Sequence, residues 1–259
     1  MNRRELVVLA RAVAYKAVVL RLRYAVTTAT SLLAVYAFFA VLFFVGRAIA
    51  PGVIADTLPG IIVGFFLLLM ATVAYSELSW ELMREAQWGT LEQLFMSPLG
   101  FGQVVLVKTG VSVLVAFAYG TVLLVSMMAT TGEWLALDPL TVVPVGLLSL
   151  GSAVGVGFLL GGLALVFERV ESTFQVVQLG FVAFVAAPVD RMPLLKLLPL
   201  SLGSDLLRTA MGEGVGLLGL PRADLALLVV KCTVYVAAGY AVLAYAGRVA
   251  RRTGRLGQY

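Results

Sequence analysis

Six apolar runs, each close to the length of a bilayer crossing, constrain this chain more than any other feature. A helical span needs about 20 mainly apolar residues, because the hydrocarbon core is about 30 Å thick and a helix rises about 1.5 Å per residue. Runs of that order lie at about 27–45, 58–76, 104–130, 140–167, 172–188 and 225–247. Lipid offers no hydrogen bonds to the backbone, so runs of this kind must satisfy their own as helices. With 61% hydrophobic and only 13% charged residues among 259, the chain predicts an all-α integral membrane protein forming one transmembrane domain, 1–259.

Composition removes several chemistries. There is no histidine and one cysteine, Cys232, inside an apolar run. That excludes an internal disulfide and leaves zinc or haem without their usual ligands, so no metal site is expected. The apolar runs hold no acid, and no serine or aspartate sits in a nucleophile-like turn beside a base, so no catalytic residue is expected. Gly102 to Thr109, GQVVLVKT, approximates a phosphate loop. Val107 stands where a second glycine must let backbone amides wrap the phosphates, and no strand precedes it. The chain is therefore expected to bind no cofactor of its own.

The net charge of +5 is better explained by membrane topology than by nucleic acid. With both ends inside, thirteen Lys and Arg fall on the inner side, in residues 3–23, around 77–108, at Arg169 and in the tail from Arg248. Only Arg47, Arg191, Lys196, Arg208 and Arg222 fall outside, and Lys231 lies within the last run, where it is expected to snorkel outward. Positive residues gather on the cytoplasmic side. Both termini are thus expected in the cytoplasm of a multi-pass protein of the cell membrane.

Residues 3–23 are broken by Arg11 and Lys16 and lack a small-residue cleavage site, so they predict an amphipathic interfacial helix rather than a signal peptide. Leu6, Leu9, Val13, Ala17 and Leu20 share one face, while Arg3, Arg4, Arg11 and Arg21 gather on another. Between the second and third runs lies a polar segment, 77–103, expected on the cytoplasmic side. Glu77, Glu81 and Glu85 are four residues apart and form one repelling row on a helix. Such a row wants a basic partner, for which Arg4 or Arg11 is expected. The helical pattern is punctuated at Gly89-Thr90, resumes through Leu94 and Phe95, and stops before Ser97-Pro98. This predicts a short helix presenting Leu91, Leu94, Phe95 and Met96 beside Glu92 and Gln93.

Within the spans, Gly151, Gly155, Gly157, Gly161 and Gly162 favour close packing inside the subunit over dimerisation. Thr30 and Ser31 in the first run, and Gln175 and Gln178 in the fifth, either line a pathway or bond between helices. Residues 189–224 are too polar and too rich in proline and glycine for a plain span, which predicts a partly re-entrant outer segment.

Arg84-Glu85, Gly89-Thr90, Glu92, Leu94 and Ser97-Pro98 resemble the cytoplasmic signature of the type-2 ABC transporter permeases, roughly R-E-x-x-x-G-T-x-E-x-L-x-x-S/T-P. The six-span plan, and the spaced prolines Pro188, Pro193 and Pro199 followed by Leu207-Arg208, are similar to that family too. Ala86-Gln87 stand where members often carry a second Arg-Glu. The resemblance implies the permease of an exporter that moves a hydrophobic or amphipathic substrate, drug-like or lipid. It implies a coupling helix at 89–97, with Glu85, Gly89, Thr90, Leu91, Glu92, Leu94, Phe95, Ser97 and Pro98 meeting a separate ABC ATP-binding subunit. A second permease would complete a homodimer or heterodimer. Export of a lipid-linked glycan is the rival within transport, and a membrane scaffold protein the rival outside it.

Overall fold

Apolar periodicity carries directly into helices in the computed structural model, which describes residues 3–87, 96, 100–167, 171–189 and 191–252. The described residues are mostly helical, with no strand among them. In order they form α1 (Arg3–Arg23), α2 (Ala25–Ile49), α3 (Pro51–Gln87), α4 (Phe101–Thr131), α5 (Pro139–Val166), α6 (Glu171–Val185), a 3₁₀ turn (Pro193–Leu197), α7 (Ser201–Gly212), a second 3₁₀ turn (Leu217–Gly219) and α8 (Arg222–Arg252). Five of these, α2, α3, α4, α5 and α8, are long and apolar enough to cross a membrane.

Helix ends follow local chemistry. Pro51 and Pro139 open α3 and α5, where the missing N–H would have had no helical partner. Asp138 caps α5 by accepting from the Leu140 N–H at 3.1 Å and from the Thr141 hydroxyl. Gly132, at φ 76°, closes α4 through its N–H to Met128 O. Pro51 and Gly52 make no separate turn; both belong to α3, which runs unbroken through Pro59 for 37 residues. It continues beyond the apolar run 58–76 to carry Glu77, Glu81 and Glu85.

The fifth apolar run behaves differently. It yields only the 15-residue α6, about 22 Å long and so short of the 30 Å hydrocarbon core. The helix stops where Pro188 approaches and where Ser204 Oγ donates to Val185 O at 2.9 Å. Tyr75 and Trp80 of α3 hold α6 by ring contacts with Phe181 and Phe174, and the Tyr75 hydroxyl donates to Phe174 O.

At the centre lies α5, packed along α3 on one side and α8 on the other. Five of the six glycines of the fourth apolar run serve these two seams. Gly151, Gly155 and Gly162 face Cys232, Tyr235 and Leu243 of α8, while Gly157 and Gly161 face Tyr75 and Leu82 of α3. The α3 seam is fastened by Ser79 Oγ, which reaches Gly157 O at 2.9 Å.

Beyond α6 the chain turns back into the protein. Buried α7 residues include Leu202, Leu206, Leu207 and Met211. Gly203 rests on Ser149, which is about ten residues, or about 15 Å, along α5 from its start. Leu200 enters α7 at φ 65°, a left-handed conformation uncommon for a branched side chain, and its N–H is held by Ser152 Oγ at 3.1 Å. Lys231 does not snorkel outward as expected. It is 5% exposed and donates to Lys196 O and Leu198 O at 3.0 and 2.9 Å. The reason is local: the carbonyls of the 3₁₀ turn are nearer than solvent, and Tyr235 OH takes the one between them, Leu197 O.

A Cβ at Gly155 would stand 2.3 Å from Tyr235 O, whereas at Gly110 it would meet nothing within 4 Å. Gly155→Ala is therefore expected to lower stability by roughly 1–3 kcal/mol through overpacking against backbone. Gly110→Ala should be neutral or slightly stabilising, and thermal unfolding of both in detergent checks the pair.

Candidate functional site

Two features stand out, and α3 joins them. The first is an ion-pair hub where α3 passes beyond its apolar run. Glu77 pairs with Arg21 of α1. Glu81 pairs with Lys16 of α1 at 3.3 Å and with Lys108 of α4 at 3.1 Å, and Lys108 also reaches Glu85 at 3.2 Å. The acidic row does meet the first helix, but through Lys16 and Arg21 rather than the expected Arg4 and Arg11. Arg4 and Arg11 are seven residues apart, share one helical face, and are exposed. Arg21 is further fixed by Ala17 O at 3.0 Å and by the Tyr119 ring at 5.7 Å.

The two central carboxylates differ electrostatically. Burial pushes the Glu81 carboxyl up, but the charges and hydrogen bonds of Lys108 and Lys16 outweigh it and hold the group below its ordinary value. Burial also pushes Glu85 up; Lys108 pulls it down, the Glu81 charge adds to the rise, and the group stays above its ordinary value. Lys108 lies between the two carboxylates, and Lys16 adds a second cation at Glu81.

The second feature is a lateral cavity of about 520 Å³, within the range of small-molecule sites. Its floor is α3 at Gly60, Ile61, Gly64, Phe65 and Leu68; Phe38 and Leu42 of α2 form one wall and Val182 and Val185 of α6 the other. Ser204, Asp205 and Arg208 of α7 close one end. The exposed rim residues Phe38, Leu42 and Val182 open it sideways. A smaller cavity of about 470 Å³ lies at the hub end, between the start of α4 and the end of α8, beside Phe101, Tyr240 and Arg248.

Of the residues expected at a functional site, Glu85 lies in the hub. Gly89, Thr90, Leu91, Glu92, Leu94, Phe95, Ser97 and Pro98 lie outside the described residues. Thr30 and Ser31 are exposed on α2 and return their hydroxyls to Val26 O and Thr27 O at 2.8 and 2.9 Å. Gln175 and Gln178 are exposed on α6. None of these four lines the lateral cavity. Sequence reasoning missed Gly60, Gly64 and Arg208; the four-residue glycine spacing in the second run was the signal that could have found the floor. Among the described residues no three of His, Cys, Asp and Glu gather to hold a metal ion.

No protein-family model matches this chain, and neither does any curated protein or solved structure.

The hub generates a prediction with opposite signs at neighbouring positions. Glu81, with its folded pKa lowered, stabilises the fold above its ordinary carboxylate value and loses that contribution as pH falls through the folded value. Glu85, with its folded pKa raised, contributes stability below its ordinary value and loses it as pH rises through the folded one. At neutral pH Glu81→Gln should lower the thermal midpoint, whereas Glu85→Gln should leave it unchanged or raise it. Lys108→Met, which removes the cation shared by two adjacent carboxylates, should cost about 2 kcal/mol or more. Melting curves between about pH 4 and 8 would separate the three variants.

Proposed function

We propose that this chain is the membrane-spanning permease of an ATP-driven exporter of the type-2 ABC kind. A separate ATP-binding subunit would dock on the helix expected at 89–97, supplying ATP and Mg, and a second permease, identical or not, would face this one across the pathway. Both termini would be cytoplasmic in the cell membrane. In that arrangement α6 and the returning α7 make the fifth passage and its re-entrant outer cap, so that the bundle counts six spans.

One observation carries the reading: α3 is a single unbroken helix that holds both features. From Glu85 to Gly60 it covers about 38 Å. Its hub end is fastened to α1 and α4 by the ion pairs of Glu77, Glu81 and Glu85, so a push on the segment between α3 and α4 is delivered to three helices together. Its other end is the floor of the lateral cavity. A rigid rod between a charged, partner-facing end and a side-opening apolar cavity is what coupling to a soluble motor requires. The cargo is a hydrophobic or amphipathic molecule entering from the side. Glu85 steadies the base of the docking segment, while Leu91, Leu94 and Phe95 fill a groove on the ATPase and Glu92 orients them.

The test is capture of a candidate ATPase by the detergent-purified chain, with thermal stability measured in parallel. Phe95→Ala should weaken capture by about 2 kcal/mol or more, as removal of a buried interface anchor does, and Gly89→Ala should misaim the docking helix. Both should leave the midpoint of the chain alone unchanged. Unaltered capture in both variants would remove the coupling reading and leave a membrane scaffold as the better account.

A further inference from the structure

The lateral cavity is graded along its length. Arg208 and Asp205 stand at the end near Gly60, while Phe38, Phe65 and Leu68 line it deeper along α3. Gly60 is what admits the arginine, since a Cβ there would meet Arg208 Cδ at 3.2 Å. The stem therefore lies flat on α3, and the guanidinium is held at the mouth, 53% exposed, with Nη2 bonded to Asp205 Oδ1 at 2.7 Å. Below it Gly64 leaves the floor low, and the walls are aliphatic and aromatic.

A cation at the mouth over an apolar slot has the polarity order of a single amphiphile: charged head at one end, hydrocarbon along the rest. The slot would leave peptide amides without partners, which argues against a peptide. Asp205 beside the arginine repels a dianion more than a monoanion, which disfavours a phosphate monoester. A guanidinium fork matches a carboxylate. We propose that the lateral cavity binds a long-chain carboxylate, with its head at Arg208 and its chain laid over Gly64 toward Leu68. This deepens the export reading, and rests on it for the meaning of the site as a cargo site.

A photoreactive fatty acid with a diazirine in its chain, added to the purified chain in detergent without any ATPase, tests the proposal, with a neutral diazirine monoacylglycerol as the comparison probe. Labelled peptides should come from 38–42, 57–68 and 182–188. Leu42→Trp, placed on an exposed wall where the fold tolerates it, should remove most labelling by both probes. Arg208→Gln should reduce labelling by the acid about tenfold, the scale of one lost charge-assisted bond, and leave the neutral probe little changed. Label spread over α4, α5 and α8 and indifferent to Leu42→Trp would overturn the proposal. So would equal loss of both probes in Arg208→Gln at an unchanged thermal midpoint, or cross-links between two copies at Leu42 that exclude the acid. Because no ATPase takes part, failure here is distinct from failure of the capture experiment.

Discussion

Close backbone approach along α5 is the constraint on which the other parts depend. Lipid is as apolar as leucine, so helices in a bilayer gain little from hydrophobicity and associate mainly through dispersion and interhelical hydrogen bonds. Both fall off steeply with distance, and both need small residues at the seam. Gly155 meets the Tyr235 backbone and Gly157 the Tyr75 backbone on opposite sides of one helix. Ser79 can reach Gly157 O only because the helices are that near. Two seams on one helix make α3, α5 and α8 a rigid frame, and the lightly covered α2 and α6 are added to it.

That frame also explains the returning segment between α6 and α8. A chain that re-enters a protein interior needs its backbone groups satisfied without a long helix. Here the side chains of the frame do it. Lys231 and Tyr235 take the carbonyls of residues 196–198, Ser152 accepts the Leu200 N–H, and Ser201 turns back to Leu195 O and Leu198 O. Lys196 in turn reaches Asp224 at 2.8 Å. The result fixes α7, and with α7 the position of Arg208 over Gly60. A cavity mouth is thus set by contacts on α8, an element that does not line it.

The hub and the cavity are coupled by stiffness rather than by a chain of polar contacts. A continuous helix transmits displacement because its hydrogen bonds are shared along its length, and α3 has only Pro59 as an interruption, close to the cavity end. Motion imposed at Glu85 would be resisted by α1 and α4 together, through Lys16, Arg21 and Lys108. In the proposed exporter this makes Lys108, shared by Glu81 and Glu85, the adjustable point of the joint.

Much of this was legible in the residues, for a physical reason. Hydrophobic length and helical period are local quantities, so the long helices and the intrasubunit use of the α5 glycines could be read from the chain, as could an acidic row seeking cations on the first helix. What decided the rest was distance in space. Which cations met the row depended on the rotation of α1, and that chose Lys16 and Arg21 over Arg4 and Arg11. Where the fifth helix would stop depended on Ser204 and the returning chain, which end it at Val185. Lys231 turned inward because folding brought carbonyls to it, and the lateral cavity exists only because four helices separated in sequence meet around Gly60 and Gly64. Sequence by itself determined the material of the bundle, since period and burial are written residue by residue. Tertiary structure alone decided the partners and the cavity, since those are set by contacts between residues far apart in the chain.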